Sequence, residues 1–325
     1  MKKTLALLMA AIMIFSCIAL TSCNTNDGKY TVGICQLVQH PALDSATQGF
    51  IDALKAELGE ENVTFLNENA NGEANVCTTI VNNLVNKKVD LIMANATPAL
   101  HAAANGTTTI PVLGTSITEY GVALGLKDFS GIVGSNVSGT SDLAPLDQQA
   151  QMLVDLYPEA EKVALLYCKA EPNSKYQVEE IRRQLVSLGI ADANIKDYAF
   201  TDSNDVSTQA AAAATYADVI YIPTDNTAAS CAETINGVIG NTPVIAGEEG
   251  ICKGCGVATL SISYYDLGVA TGKMAAKILK GEAKVEEMKI EYAATFTKKY
   301  NAAKCKELGI DAAALEAAGY VAIED

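Results

Sequence analysis

The chain is poor in the residues on which most catalytic and metal chemistry depends. Its 325 residues include only two histidines, His40 and His101. A His-rich metal site is thereby excluded, and a Ser-His-acid triad would have to use one of those two, each of which reads better as a helix-terminus or surface residue. No Gly-x-Gly-x-x-Gly follows the first expected strand and no Gly-x-Ser-x-Gly elbow occurs, so the dinucleotide and nucleophile-elbow readings fail. Gly268-Val-Ala-Thr-Gly272-Lys273 is one residue short of a phosphate loop and is followed by Met274, which offers magnesium no hydroxyl. It reads as a helix surface. Positive charge is scarce as well: 23 Lys and Arg stand against 38 Asp and Glu, a formal net charge of −15. Such a chain is a poor partner for nucleic acid or anionic lipid headgroups. No catalytic residue, cofactor or metal is expected.

Long apolar runs are confined to the N-terminus. Met1, Lys2 and Lys3, the apolar stretch 5–20 and Leu20-Thr21-Ser22-Cys23 have the layout of a secretory signal. Beyond Lys29 every apolar run is interrupted by Gly, Pro, Asn or a charge before it is long enough to cross a bilayer. Leu20 and Ser22 ahead of Cys23 resemble a bacterial lipobox. The expectation is a signal peptide over 1–22, diacylglycerol on the Cys23 thiol, a polar tether over 23–29, and a protein exported and lipid-anchored to the outer face of the cytoplasmic membrane. Of nine cysteines, seven remain without Cys17 and Cys23, an odd and scattered set that is no disulfide framework. Cys252-Lys253-Gly254-Cys255 is the one close pair. No second pair exists to complete a zinc site, and a position late in a domain does not suit a thioredoxin-like motif. It reads as a turn with two incidental thiols or one local disulfide.

About 300 mature residues exceed what one hydrophobic core serves, so two lobes are expected. Residues 30–37 read as an apolar strand. Leu43, Thr47, Phe50, Leu54 and Leu58 then recur at helical spacing, with Gly59 as the stop. Strands at 63–66, 89–94, 111–114 and 131–134, with helices at 74–86 and 98–105, continue an alternation that argues for a parallel sheet covered on both faces. From Leu146 the pattern starts again, with strands at 163–167, 195–200, 219–222 and 244–246 and helices at 174–188, 205–216 and 226–239. A local signature is shared: Asp90-Leu-Ile-Met-Ala-Asn-Ala-Thr97 matches Asp218-Val-Ile-Tyr-Ile-Pro-Thr-Asp225. A strand at 257–262, a helix at 265–279 and a strand at 289–296 are surplus to a simple tandem. The expected fold is therefore α/β, with two doubly wound parallel-sheet lobes joined by a three-strand hinge crossed near Ser141, Ser263 and Glu286. One lobe would comprise 30–141 and 264–286, the other 142–263 and 287–325. Multiple crossings suit hinge closure around a ligand.

In open α/β sheets ligands bind beyond the carboxyl ends of the strands. That rule selects Gln36, His40, Asp44, Thr97, Ser116, Thr140 and Ser141 in the first lobe, and Asn173, Ser174, Asp225, Asn226 and Glu248 in the second. Rich in hydroxyls, amides and carboxylates and poor in cations, the set suits a small zwitterion better than a phosphate. Helix N-termini near Ser174 and Thr97 would hold a ligand carboxylate and Asp225 its ammonium, with charge-assisted bonds of roughly 1.5–3 kcal/mol each. The same residue types are preferred helix caps. Capping and binding stand level for Thr97 and Asn173; Asp44 reads first as a cap of the first helix; Asp225 and Asn226 read as binding, since Thr224 is available to cap in their place. A hydrolase using Asp44 and Glu248 as acid and base is the enzymatic alternative, and it lacks a nucleophile or metal cluster.

Specific strings then carry further. Gln36-Leu-Val-Gln39-His40-Pro41-Ala42-Leu43-Asp44 resembles the opening of ABC-transporter substrate-binding lipoproteins of the tryptophan/tyrosine-binding kind, usually Gln-x-x-Glu-His-Pro-Ala-Leu-Asp. Glu171-Pro172-Asn173-Ser174, Pro223-Thr224-Asp225-Asn226, Ala246-Gly247-Glu248-Glu249-Gly250 and Ser261-Ile-Ser263-Tyr264-Tyr265-Asp266-Leu267-Gly268 agree in order. Gln39, where Glu is common, and the Cys252/Cys255 pair depart from the pattern. The resemblance implies a type I periplasmic-binding-protein-like fold with three crossings. It also implies an amino-acid ligand, often aromatic, delivered to an ABC permease driven by a cytoplasmic ATPase. Tyr120, Tyr264 and Tyr265 are candidates to stack on its side chain. A ligand sensor or a nucleoside-binding lipoprotein of the same fold is the alternative.

Overall fold

The computed structural model describes residues 29–324; the expected signal peptide and the lipidation site Cys23 lie outside them. Two parallel-sheet lobes follow from the alternation read in the sequence. The first is built from β1 (Tyr30–Gln36), β2 (Val63–Asn69), β3 (Leu91–Asn95), β4 (Val112–Ile117) and β5 (Val137–Ser141). The second is built from β6 (Val163–Cys168), β7 (Ile195–Phe200), β8 (Val219–Ile222), β9 (Val244–Ala246) and β10 (Ala258–Ser261). Three late strands, β11 (Glu291–Tyr292), β12 (Thr297–Tyr300) and β13 (Val321–Ala322), complete the sheets. Their orders are β11-β5-β4-β3-β1-β2 and β13-β12-β10-β9-β8-β6-β7. Apart from the late strands, each lobe has its second strand outermost, then its first, third, fourth and fifth, so each has a switch point between its first and third strands.

Strand periodicity explains why both faces are covered. Val32, Ile34, Leu91 and Met93 pack with Phe50, Leu54 and Met274 on one face of the first sheet, while Cys35, Ile92 and Ala94 pack with Ile80, Leu84 and Leu100 on the other. Successive side chains of one strand thus serve two cores, as a parallel sheet buried on both faces requires. The shared signature is structural as well. Asp90 accepts the Thr31 N–H at 2.7 Å in the first lobe, and Asp218 accepts the N–H groups of Glu161 and Lys162 at 3.0 and 2.8 Å in the second. In each case a carboxylate fixes the entry to the lobe's first strand.

Four expectations require correction. Residues 131–134 form no strand: Gly131 and Gly134 adopt φ of 92° and 73°, leaving a single bridge from Ile132 to Lys289, and the strand falls at β5 instead. The third crossing lies after β11, between Tyr292 and Thr297, because β11 pairs with β5 of the first lobe and only β12 joins β10. Cys252 and Cys255 belong to a helix, Glu249–Cys255, and both are fully buried free thiols. Gly268 to Gly272 is no helix surface. There the helix Tyr264–Leu279 lies so close to the helix Pro41–Leu58 that a Cβ on Gly268 would fall 2.0 Å from the Ala46 carbonyl oxygen. That contact seats the returning chain on the first lobe immediately after the second crossing.

Candidate functional site

The loops at the carboxyl ends of both sheets meet between the lobes. Leu43, His40, Ser116, Thr118, Asp142 and Tyr264 from the first lobe and its crossings face Asn173, Thr224, Asp225, Asn226, Ala229 and Glu248 from the second. Together these residues line a narrow slot between the two lobes. The lobes have closed to contact, and His40 Nε2 reaches Asn226 Oδ1 across the gap at 3.4 Å.

Local structure aims these groups. Ser116 sits where the register between β4 and β5 shifts and has φ of 56°, a left-handed conformation rare for a residue with a Cβ. Bulges of this kind re-aim a side chain, and here the hydroxyl is directed into the slot. Asp142 follows β5 at the first crossing. Its Oδ2 accepts the Tyr264 hydroxyl at 3.0 Å. Burial pushes its carboxyl up to about 6, against the pull of the hydrogen bond from Tyr264. In the second lobe the buried carboxylate of Glu171 acts as an organiser. It accepts from Asn226 Nδ2 at 2.6 Å, from the Thr227 N–H and hydroxyl at 2.9 and 2.8 Å, and from Asn173 Nδ2 at 3.3 Å. Both amides thereby turn their oxygens away from Glu171.

Asp225 and Glu248 are held differently. Asp225 Oδ1 caps the helix Asn226–Ser230 through the Ala228 N–H at 2.8 Å, and Oδ2 takes the Cys168 N–H at 2.6 Å. Glu248 caps the helix Glu249–Cys255 through the N–H groups of Gly250 and Ile251. Burial raises each carboxyl to about 7, helped at Asp225 by the charge of Glu171. The expectation that Thr224 caps and leaves Asp225 for the ligand is overturned, since the Thr224 hydroxyl donates to the Gly247 carbonyl at 3.2 Å.

Six of the twelve expected residues come together in the slot: His40, Ser116, Asn173, Asp225, Asn226 and Glu248. The other six lie behind it. Gln36 donates to Asp44 Oδ1 at 2.6 Å and accepts from Thr47 at 2.6 Å, so Gln36 and Asp44 set the start of the helix Pro41–Leu58. Asp44 is not among the residues that line the slot with Glu248. Thr140 lies inside β5, bonded to Thr271 at 2.8 Å, because the segment taken for a loop is a strand. Ser141 donates to the Thr118 carbonyl at 2.9 Å and braces the first crossing. Thr97 is buried in the first turn of its helix. Ser174 is buried, and its hydroxyl accepts from Asn173 Nδ2 at 3.3 Å. Of the three tyrosines, only Tyr264 lines the slot; Tyr120 is buried beneath β4 and β5, and Tyr265 is exposed and bonds Asp52. Leu43, Thr118, Asp142, Thr224, Ala229 and Tyr264 complete the lining, and Asp142 was legible only as one polar residue in a long polar run.

Among the described residues, seven buried side-chain atoms have no hydrogen-bond partner, and four of them belong to this slot: His40 Nδ1, Ser116 Oγ, Asp142 Oδ1 and Asn173 Oδ1. A buried polar atom left unpaired costs about 1–3 kcal/mol. Four at one place mark a site that meets its hydrogen bonds with a solute.

Comparison with known proteins agrees with this architecture. The family profile "ABC transporter substrate binding protein" matches residues 31–317. A tyrosine-binding protein of Clostridioides difficile is 32% identical over 300 residues, 87% of this chain and 85% of that protein. An ABC domain from Streptococcus pneumonia, solved in complex with L-Trp, is 31% identical with a TM-score of 0.84, over 91% of this chain and 100% of that one. A ligand-free, open substrate-binding protein with adhesive properties from Clostridium difficile is 33% identical over 91% of this chain and 100% of that one, with a TM-score of 0.67.

Proposed function

Since the chain belongs to the ABC transporter substrate-binding protein family, we propose that it closes its two lobes on an L-amino acid with an aromatic side chain. The ligand is then delivered to an importer's permease outside the cytoplasmic membrane, with the protein tethered through lipid on Cys23. The observation that carries the reading is the convergence of four unpaired buried polar atoms on one slot contributed by both lobes. Asp142 supplies the negative charge for the ligand ammonium. The Ser116 hydroxyl faces the ligand carboxylate, and Leu43, Ala229 and Tyr264 flank its side chain. The L-Trp complex and the tyrosine-binding relative support an aromatic amino acid. A nucleoside is less well served, because a single aromatic residue, Tyr264, lines the slot where a base would be stacked.

A thermal-shift series of the protein against the twenty L-amino acids and a nucleoside set tests this. A ligand that binds only the folded state at 100 times its Kd adds about 2.7 kcal/mol. Stabilisation by Trp, Tyr or Phe is the expected result. Stabilisation by nucleosides alone, or by none of the panel, would overturn the ligand assignment and leave the fold standing.

A further inference from the structure

The unpaired atoms have a definite hydrogen-bond sense. Asn173 Nδ2 lies against the Glu171 carboxylate and the Thr224 carbonyl, both acceptors only, so the oxygen of that amide faces the slot. Asn226 Nδ2 is likewise held by Glu171, which leaves Asn226 Oδ1 toward His40. His40 must then donate through Nε2. Burial keeps its imidazole neutral, so Nδ1 is an acceptor. Asp142 Oδ1 is an acceptor as well. Three acceptors thus converge, two from the first lobe with its crossing and one from the second, and each of the three side chains is more than nine-tenths buried.

Donors are few. The Thr224 hydroxyl bonds Gly247. At the starts of the two short helices facing the slot, the Asn226 and Thr227 N–H groups are taken by Glu171, that of Ala228 by Asp225, and those of Gly250 and Ile251 by Glu248. No Lys or Arg lines the space. Ser116 Oγ and the Thr118 hydroxyl remain as the uncommitted side-chain donors among the lining residues. A primary ammonium carries three N–H donors and one positive charge, which matches this set; a carboxylate finds two hydroxyls and no cationic side chain.

Resting on the function proposed above, we propose that the site reads the primary ammonium as its obligatory element and also takes aromatic primary amines that lack a carboxylate. Asp142, Asn173 and His40 share the three ammonium protons. Closure is thereby coupled to the amine, because the acceptors come from both lobes.

Calorimetric titration of the full chain with three matched sets tests it: L-tyrosine, tyramine and 3-(4-hydroxyphenyl)propionate; L-tryptophan, tryptamine and 3-indolepropionate; L-phenylalanine, phenethylamine and hydrocinnamate. One hydrogen bond to a charged group is worth about 10- to 150-fold in affinity. The amine is expected to bind within that range of its amino acid, and the des-amino acid to lose more than that. Binding of an amino acid and its des-amino acid without the amine would overturn the inference and leave the amino-acid function intact. An amino acid that binds while both truncated compounds fail would also overturn it, since carboxylate and ammonium would then be equally required. Failure of all nine compounds would overturn both.

Discussion

The Tyr264 hydroxyl donates to Asp142 Oδ2 at 3.0 Å, and so joins the segment of the first crossing to the start of the helix that follows the second. The bond stabilises the ionised carboxylate while Oδ1 faces the slot. Tyr264→Phe removes a group that favours the charged form, so the Asp142 carboxyl should rise above its value of about 6. Affinity for an amino acid measured between pH 5.5 and 8 should then fall off at a higher pH than in the parent protein. Unchanged pH dependence would mean that the hydroxyl has no part in holding the charge.

Stability without ligand should depend on pH in the sense opposite to binding. Asp142, Asp225 and Glu248 have folded-state values of about 6, 7 and 7, above their unfolded ones. A raised carboxyl stabilises the folded state when protonated, so its contribution is full at low pH and is lost as pH rises through the folded value. His40, lowered by burial, acts the other way, and only below about 6.5. The melting temperature should therefore rise on going from pH 8 to about 6.5. A flat or falling profile over that interval would contradict the buried-carboxylate description.

Asp225 is a cap before it is anything else. Asp225→Ala strips acceptors from the Cys168 and Ala228 N–H groups. Loss of a cap costs about 0.5–2 kcal/mol, and a buried N–H left unpaired about 1–3 kcal/mol. Denaturant unfolding should show a loss of that order, with a matching fall in affinity. A large fall in affinity with stability intact would restore Asp225 as a direct ligand contact.

Gly268→Ala tests the seating of the returning helix. The added methyl would meet the Ala46 carbonyl oxygen, and a backbone atom cannot rotate away. Overpacking of this kind costs about 1–3 kcal/mol. Urea unfolding should show at least that loss. An unperturbed midpoint would mean that the helices Pro41–Leu58 and Tyr264–Leu279 are free to slide apart.

Much of the architecture was legible because parallel strands covered on both faces are continuous apolar runs, and β1, β3, β6 and β8 all read that way. The sequence 131–141 misled: two glycines there flank short apolar residues, and only pairing with β4 shows that Val137–Ser141 is the strand. The late strands β11 and β12 are too short to show a period, so the third crossing was set too early. In the site, the strand-end rule found the correct loops and could not resolve which polar atoms were already spent. Asp225, Glu248 and Gln36 carry the expected chemistry but give it to the backbone or to neighbouring side chains. Asp142 stood unremarked in the run from Ser135 to Asp142, because its importance depends on Tyr264, 122 positions away in sequence.

The central claim is that a ligand ammonium sits on Asp142 between closed lobes. The most direct test is calorimetric titration of L-tryptophan, L-tyrosine and L-phenylalanine into the parent protein and Asp142→Asn at pH 7.5. Asparagine keeps the shape and removes the charge. The account predicts binding by the parent and a loss of about 10- to 150-fold in the variant, with a melting temperature equal to or above that of the parent because a buried charge is gone. Equal affinity in the two proteins would contradict it.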